Sequence, residues 1–157
     1  MKKIIGIGEY KASKTPDVLV TLGLGSCVGV CIWDKTTKVG GLIHVMLPQS
    51  NSPNAPKPGK YADLGIPLLL EDIKKLGAKG SLTAKIFGGS AMFKGSSMDI
   101  GSKNVAAVKE HLKKNGIRII AEDTGGNRAR SIEFNLETGE VLVKKVGGGE
   151  KVEIFKY

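Results

Sequence analysis

The sequence predicts an α/β fold: a compact layered sandwich with mixed or mainly antiparallel sheets and two main helices on an outer face. Two observations predict it. Eight or nine short runs of β-branched and aliphatic residues are punctuated by glycine, proline, asparagine and aspartate, while two longer segments repeat apolar residues at helical intervals. That many strands in 157 residues require more than one sheet layer. No repeat or interdomain linker interrupts the chain, so residues 1–157 read as one catalytic-sized domain.

Ile4 to Ile7 and Val18 to Leu22 read as strands, with Ser13, Pro16 and Asp17 supplying the turn between them. Val28, Val30 and Ile32 then alternate with Gly29, Cys31 and Trp33, and Asp34 to Lys38 turn the chain into a returning strand that ends around His44 to Leu47. The result is a hairpin with a cysteine at one end and a histidine at the other. Pro48 to Lys60 carries prolines, serines, asparagines and a glycine, a composition that resists both helix and central strand, and reads as a surface loop, either one that frames an entry to a site or a plain solvent loop.

Ala62, Ile66, Leu69, Ile73 and Leu76 share a helical face, with Asp63 near the start and Gly77 as the stop; Pro67 fits if it lies in the first turn. Leu82 to Phe87 is a strand, and Gly88, Gly89 and Ser90 turn it. A second helix is expected from Lys103 to Lys114 on Val105, Val108 and Leu112, ended by Asn115-Gly116. Ile117 to Ala121 restores a strand. Ser131 to Leu136, Val141 to Val146 and Val152 to Phe155 complete an antiparallel meander.

Composition narrows the function classes. The chain is 41% hydrophobic and 25% charged, with a mean hydropathy of -0.04, which excludes disordered and collagen-like classes. Its 24 basic and 15 acidic residues give a net charge of +9, which suits either nucleic acid or an acidic protein. Around Arg118, Arg128, Arg130, Trp33 and Phe134 there is no reading-helix pattern or aromatic RNA-binding run, so an acidic protein surface is the expected partner and nucleic acid is not. The chain has no signal peptide and no run of 18 apolar residues, which predicts a cytoplasmic protein without membrane insertion. Cys27 and Cys31 are not spaced as a redox pair, and His44 and His111 add too little for zinc.

The sharpest chemical feature is Thr21-Leu22-Gly23-Leu24-Gly25-Ser26-Cys27-Val28. Gly23 and Gly25 permit a close turn before Cys27, which can expose its sulfur and aim the N–H groups near Ser26 and Cys27 at an oxyanion. The same turn also fits a buried structural loop. His44 is the candidate base, able to accept the thiol proton, or else a histidine satisfying a strand end. Thr21 can accept a hydrogen bond from the other ring nitrogen and fix the tautomer, or serve only as a β-branched strand residue. Ser26 forms an alkoxide far less readily than Cys27 forms a thiolate and is assigned to the loop and the oxyanion site.

The remaining motifs read as structural. Gly88-Gly89-Ser90 and Gly125-Gly126-Asn127 lack a phosphate-loop pattern and are expected to be tight turns. Met92 and Phe93 are expected in the core, His111 on a helix surface, and Glu122 and Asp123 in a supporting role beside the active site. Arg128 and Arg130 are candidates for contacting carboxylates of a partner.

Across essentially its whole length the sequence resembles the CheD chemoreceptor glutamine deamidase family. The segments that carry the resemblance are Gly23 to Val28, Gly41-Leu42-Ile43-His44-Val45-Met46-Leu47-Pro48, Lys60-Tyr61-Ala62-Asp63, Lys85 to Phe93, Ile100-Gly101-Ser102-Lys103-Asn104 and Glu122-Asp123-Thr124-Gly125-Gly126. The resemblance implies a protein-glutamine glutaminase with Cys27 as nucleophile, His44 as base and Thr21 as third member, needing no metal, nucleotide or redox cofactor. It also implies two partners, the cytoplasmic coiled coil of chemoreceptors and the CheC phosphatase. The expected chain is a monomer when unbound, recruited to membrane-associated receptor arrays. Methylesterase activity on receptor glutamates and a noncatalytic adaptor role are the alternatives. Two positions depart from common family usage: Lys103 where arginine is frequent, and Ser90 where alanine is.

Overall fold

The computed structural model describes residues 1–91, 99–147 and 151–157. The elements follow in the order β1 (Lys2–Ile4), β2 (Tyr10–Lys14), β3 (Val18–Leu24), β4 (Val28–Asp34), β5 (Val39–Val45), a 3-10 turn (Pro58–Lys60), α1 (Ala62–Lys75), β6 (Thr83–Gly88), α2 (Ile100–Lys114), β7 (Arg118–Thr124), β8 (Ala129–Asn135), β9 (Val141–Val146) and β10 (Glu153–Lys156). The strands form two five-stranded sheets, ordered β1-β3-β8-β9-β10 and β2-β5-β4-β6-β7. β1–β3 and β6–β7 pair in parallel and every other named pair is antiparallel, so both sheets are mixed.

Side-chain alternation sets the layers. Along β4, Val28, Val30 and Ile32 join Ile43 and Val45 of β5 and the apolar faces of α1 and α2 in one core cluster. Cys31 and Leu42, one residue out of phase, point the other way and meet Leu19, Leu24, Ile132, Phe134 and Val143 of the first sheet. The second sheet is therefore covered on both faces: helices on one side, the first sheet on the other. This is the expected layered sandwich with both helices on an outer face, and each fully buried aliphatic side chain contributes about 1.5–3 kcal/mol to it.

Several local expectations shift. The first strand is Lys2–Ile4 rather than Ile4 to Ile7, and a strand at Tyr10–Lys14 occupies what reads as loop and turn in the sequence. The end of the proline-rich loop forms a 3-10 turn at Pro58–Lys60, whose Lys60 carbonyl accepts from the Met46 and Leu47 N–H groups and closes the loop at its base. Pro67 lies inside α1, beyond the first turn, and removes one helical hydrogen bond. Burial of Ala62, Ile66, Leu69, Leu70 and Ile73 outweighs that loss, whereas Leu76 is exposed just past the helix end. α2 begins at Ile100, because the Asp99 side chain accepts from the Ser102 N–H at 3.0 Å and caps it. The C-terminal meander β8-β9-β10 is as expected. Met92 and Phe93 lie outside the described residues.

Candidate active site

Strand register brings the three candidate residues to the layer between the sheets. Thr21 sits on β3 in phase with buried Leu19, and His44 on β5 in phase with buried Leu42. Both are wholly buried, and Thr21 Oγ1 lies 2.7 Å from His44 Nδ1. Cys27 ends the turn between β3 and β4. It is half-buried, packs against the same inter-sheet cluster, and stands two residues before Gly29, which pairs with His44.

The hydrogen bonds assign the histidine tautomer. Thr21 has one hydroxyl proton and donates it to the Ile5 carbonyl at 2.6 Å. Toward His44 the threonine oxygen can therefore only accept, so Nδ1 carries the proton and Nε2 is left with its lone pair. Nε2 is buried without a hydrogen-bond partner. Burial also pushes the His44 pKa down from 6.5 to about 4, so the ring is neutral at physiological pH. The same physical cause, burial, pushes the Cys27 thiol above its ordinary value. At rest the pair is a neutral thiol and a neutral imidazole.

The turn that carries Cys27 is held from three sides. The Cys27 carbonyl accepts from the Gly89 N–H at 2.9 Å, the Gly25 carbonyl from the Ser90 N–H at 2.8 Å, and the Ser26 carbonyl from Asn104 Nδ2 at 3.0 Å. The N–H groups of Ser26 and Cys27 take up none of these bonds. Gly88 is required here: its φ is +108°, and a Cβ would stand 2.3 Å from the Cys27 carbonyl oxygen. Gly101 is required for a different reason. Its backbone seats α2 against the Gly89 and Ser90 carbonyls, where a Cβ would stand 2.5 Å and 2.6 Å from their oxygens.

The geometry is that of a cysteine-bearing turn and a tautomer-locked histidine in one layer, and comparison with known proteins gives the family. A family model described as CheD chemotactic sensory transduction matches residues 46–145. The chemoreceptor glutamine deamidase CheD of Thermotoga maritima is 61% identical over 155 residues, covering 98% of this chain and 98% of its own. The chain belongs to the CheD family. The probable chemoreceptor glutamine deamidases CheD of Desulforamulus reducens and Pyrococcus abyssi are also similar. The first is 49% identical over 94% of this chain and 93% of its own, the second 47% identical over 95% and 94%.

In this CheD chain a buried ionic network supports the turn after β6, to which the Cys27 turn is hydrogen-bonded. Asp123 on β7 pairs with Arg130 on β8 at 3.0 Å and with Lys145 on β9 at 2.8 Å, and accepts from the Tyr157 hydroxyl. Arg130 in turn donates to Ser90 Oγ at 2.8 Å, and Ser90 Oγ donates to the Arg128 carbonyl at 2.7 Å. Burial alone would raise the Asp123 pKa, but the hydrogen bonds from Lys145 and Tyr157 and the Arg130 charge hold it below the usual range. Of the two acids expected to organise this side of the domain, Asp123 is the hub of the network, whereas Glu122 pairs with Lys109 at 3.1 Å outside it. Arg130 is corrected: it is buried and committed to Asp123 and Ser90, so it offers nothing to a partner's carboxylate. Arg128 is likewise engaged, with Glu153 and the Lys145 and Lys151 carbonyls.

The glycine pairs act as turns. Gly125 N–H donates to the Gly88 carbonyl and Ala91 N–H to the Gly126 carbonyl, each at 2.9 Å, so the two turns brace each other. His111 is half-buried on α2 beside Glu110, outside this constellation. Phe134 is buried and Trp33 donates its indole N–H to the Leu136 carbonyl, so neither forms a stacking platform. Among the described residues no group of three or more His, Cys, Asp or Glu could hold a metal ion, and no helix is long and apolar enough to cross a membrane.

Two participants carry no signal that chemistry alone would find. Ile5 contributes a main-chain carbonyl, which any residue type supplies. Asn104 is visible only as the last residue of the Ile100 to Asn104 segment, where nothing in its spacing connects it to Cys27.

Proposed function

We propose that this chain is a chemoreceptor glutamine deamidase, a single catalytic domain over residues 1–157 that converts receptor glutamine side chains to glutamate through a cysteine thioester. The observation that carries the reading is the Thr21–His44 pair: a buried histidine whose Nδ1 proton is tied to Thr21 leaves Nε2 bare, in the layer where Cys27 packs. Family membership supports the same reading.

Cys27 Sγ attacks the carboxamide carbon, and its proton passes to His44 Nε2. Because the resting pair is neutral, attack and proton transfer are coupled, and Thr21 stabilises the imidazolium by accepting from Nδ1. Sγ and Nε2 form no hydrogen bond in the free protein, and such contacts tighten when substrate binds. The N–H groups of Ser26 and Cys27 receive the oxyanion. His44 returns the proton to the amide nitrogen, the C–N bond breaks, and ammonia leaves. Water then gives a proton to Nε2 and attacks the thioester carbon; the C–S bond breaks, Cys27 recovers its proton, and glutamate is released.

The same nucleophile attacks a glutamate methyl ester, with methanol as the leaving group, so methylesterase activity belongs to the same site. The +9 charge suits an acidic receptor coiled coil. CheC phosphatase is the second partner that the resemblance implies.

The test is peptide-mapping mass spectrometry of a purified chemoreceptor cytoplasmic fragment incubated with the protein or its Cys27→Ala variant under reducing conditions. Glutamine-to-glutamate conversion by the native protein alone is the expected result. Equal conversion by Cys27→Ala removes the assigned nucleophile, and receptor binding without conversion in either of two fragments supports an adaptor instead.

A further inference from the structure

A base at His44 becomes an imidazolium in a wholly buried place, and among the described residues no carboxylate is bonded to its ring. Nδ1 meets the neutral Thr21 hydroxyl and Nε2 has no hydrogen-bond partner. A positive charge formed in the interior needs compensation. The hydrogen bonds lead outward to a source of it. Thr21 Oγ1 donates to the Ile5 carbonyl at 2.6 Å, and the N–H of that same peptide unit, carried by Gly6, donates to Glu9 Oε1 at 2.7 Å. The C=O and N–H of a trans peptide point in opposite directions, so this unit joins the buried threonine hydroxyl to an exposed carboxylate. The turn that holds Glu9 also grips His44 itself. Gly8 N–H donates to the His44 carbonyl at 3.0 Å, His44 N–H donates to the Glu9 carbonyl at 3.1 Å, and Glu9 N–H closes the turn on the Gly6 carbonyl at 3.0 Å.

We propose that Glu9 is a positioning residue of the deamidase, its carboxylate acting through the Ile5–Gly6 peptide and the Thr21 hydroxyl to stabilise the protonated His44 ring. This rests on the deamidase reading above. A carboxylate on the Gly6 N–H favours the amide resonance form with negative charge on oxygen, which makes the Ile5 carbonyl a stronger acceptor. The Thr21 O–H is polarised toward that carbonyl, and its oxygen in turn accepts more strongly from Nδ1–H. The chain counts most when the ring is cationic, so it favours the transition state over the resting enzyme. A carboxylate touching the ring would do the same directly; here the peptide carries the effect from the surface to the buried pair.

The experiment measures kcat and KM on one receptor fragment for the full-length protein, Glu9→Gln, Thr21→Val and the double variant. Glu9→Gln keeps an acceptor for the Gly6 N–H and removes the charge. It is expected to lower kcat by about threefold or more with KM unchanged. In the Thr21→Val protein, where the chain is already cut, the same substitution is expected to lower kcat no further. An unchanged kcat in Glu9→Gln, or an equal fold-loss in both backgrounds, overturns the proposal and leaves the deamidase reading standing. Failure of the native protein to convert any glutamine overturns both. A second readout does not depend on turnover: the His44 Nδ1 proton resonance is expected to move upfield in Glu9→Gln as its bond to Thr21 weakens, and an unmoved resonance overturns the proposal.

Discussion

His44 carries the most direct consequence at the scale of single residues. A general base works only when unprotonated, and burial lowers its pKa from 6.5 to about 4. kcat/KM on a receptor fragment is therefore expected to hold through pH 5 and fall as pH drops through about 4. A stopped-time assay in overlapping buffers reads this, and an acid limb near 6.5 would contradict the buried, neutral ring. The same shift acts on stability. The unfolded chain takes up a proton near 6.5 and the folded one only near 4, so stability is full above 6.5 and declines as pH falls through that window. Thr21 supplies the companion prediction: Thr21→Ser keeps the hydroxyl and is expected to retain near-native kcat, while Thr21→Val frees the tautomer and lowers kcat by about tenfold or more. Equal activities for the two variants would show that the hydroxyl does not position His44. Cys27, His44 and Thr21 are legible as candidates, because thiol, imidazole and hydroxyl are chemically distinct and Gly23 and Gly25 mark the turn, but their roles in the reading come from the family resemblance. The Ile5 carbonyl that forces Thr21 to accept is not legible, since a main-chain oxygen leaves no trace in residue type.

At the scale of elements, legibility follows burial. β4 and β9 are read from their β-branched alternation, because each has a core face that demands it. β2 escapes, since Lys11, Ser13 and Lys14 make it polar; it is an edge strand that pairs with β5 alone, and lysines on an edge discourage further strand addition. The α1 helix tolerates Pro67 for the converse reason, a fully buried apolar face. The element most important to the site is the turn after β6, held by Asp123, Arg130 and Ser90 across both sheets. Removing one charge strands the other in the interior, which typically costs about 3–5 kcal/mol, whereas an apolar replacement of both can be nearly neutral. Asp123→Ala is thus expected to lower the urea midpoint sharply, and the double variant Asp123→Ala/Arg130→Met to recover part of that loss. Additive losses would show that the two residues are not coupled.

For the whole molecule, the layering decides which surface meets a partner by diffusion. The second sheet is covered on both faces, so the helices form an outer wall; exposed Lys103, Lys109, Lys113 and Lys114 against Glu110 make the α2 part of that wall basic, while Lys74 and Lys75 of α1 are offset by Asp63, Glu71 and Asp72. Some of this charge is locally compensated: Lys75 pairs with Glu71, Lys109 with Glu122 and Lys114 with Glu110. The net +9 survives these pairs, because pairing leaves the sum unchanged. Under the proposed function, long-range attraction to an acidic coiled coil would act on association, while chemistry at Cys27 would take place in a partly buried layer where salt screens little. Raising sodium chloride from about 20 mM to about 300 mM shortens the screening length several-fold. It is therefore expected to lower kcat/KM on the receptor fragment by about tenfold while leaving kcat nearly constant. Charge-reversal of Lys109 and Lys113 of α2 together should flatten that salt dependence without lowering kcat. If kcat and kcat/KM fall in parallel with salt, the charge acts on the chemistry or on folding, and the basic wall has no part in steering.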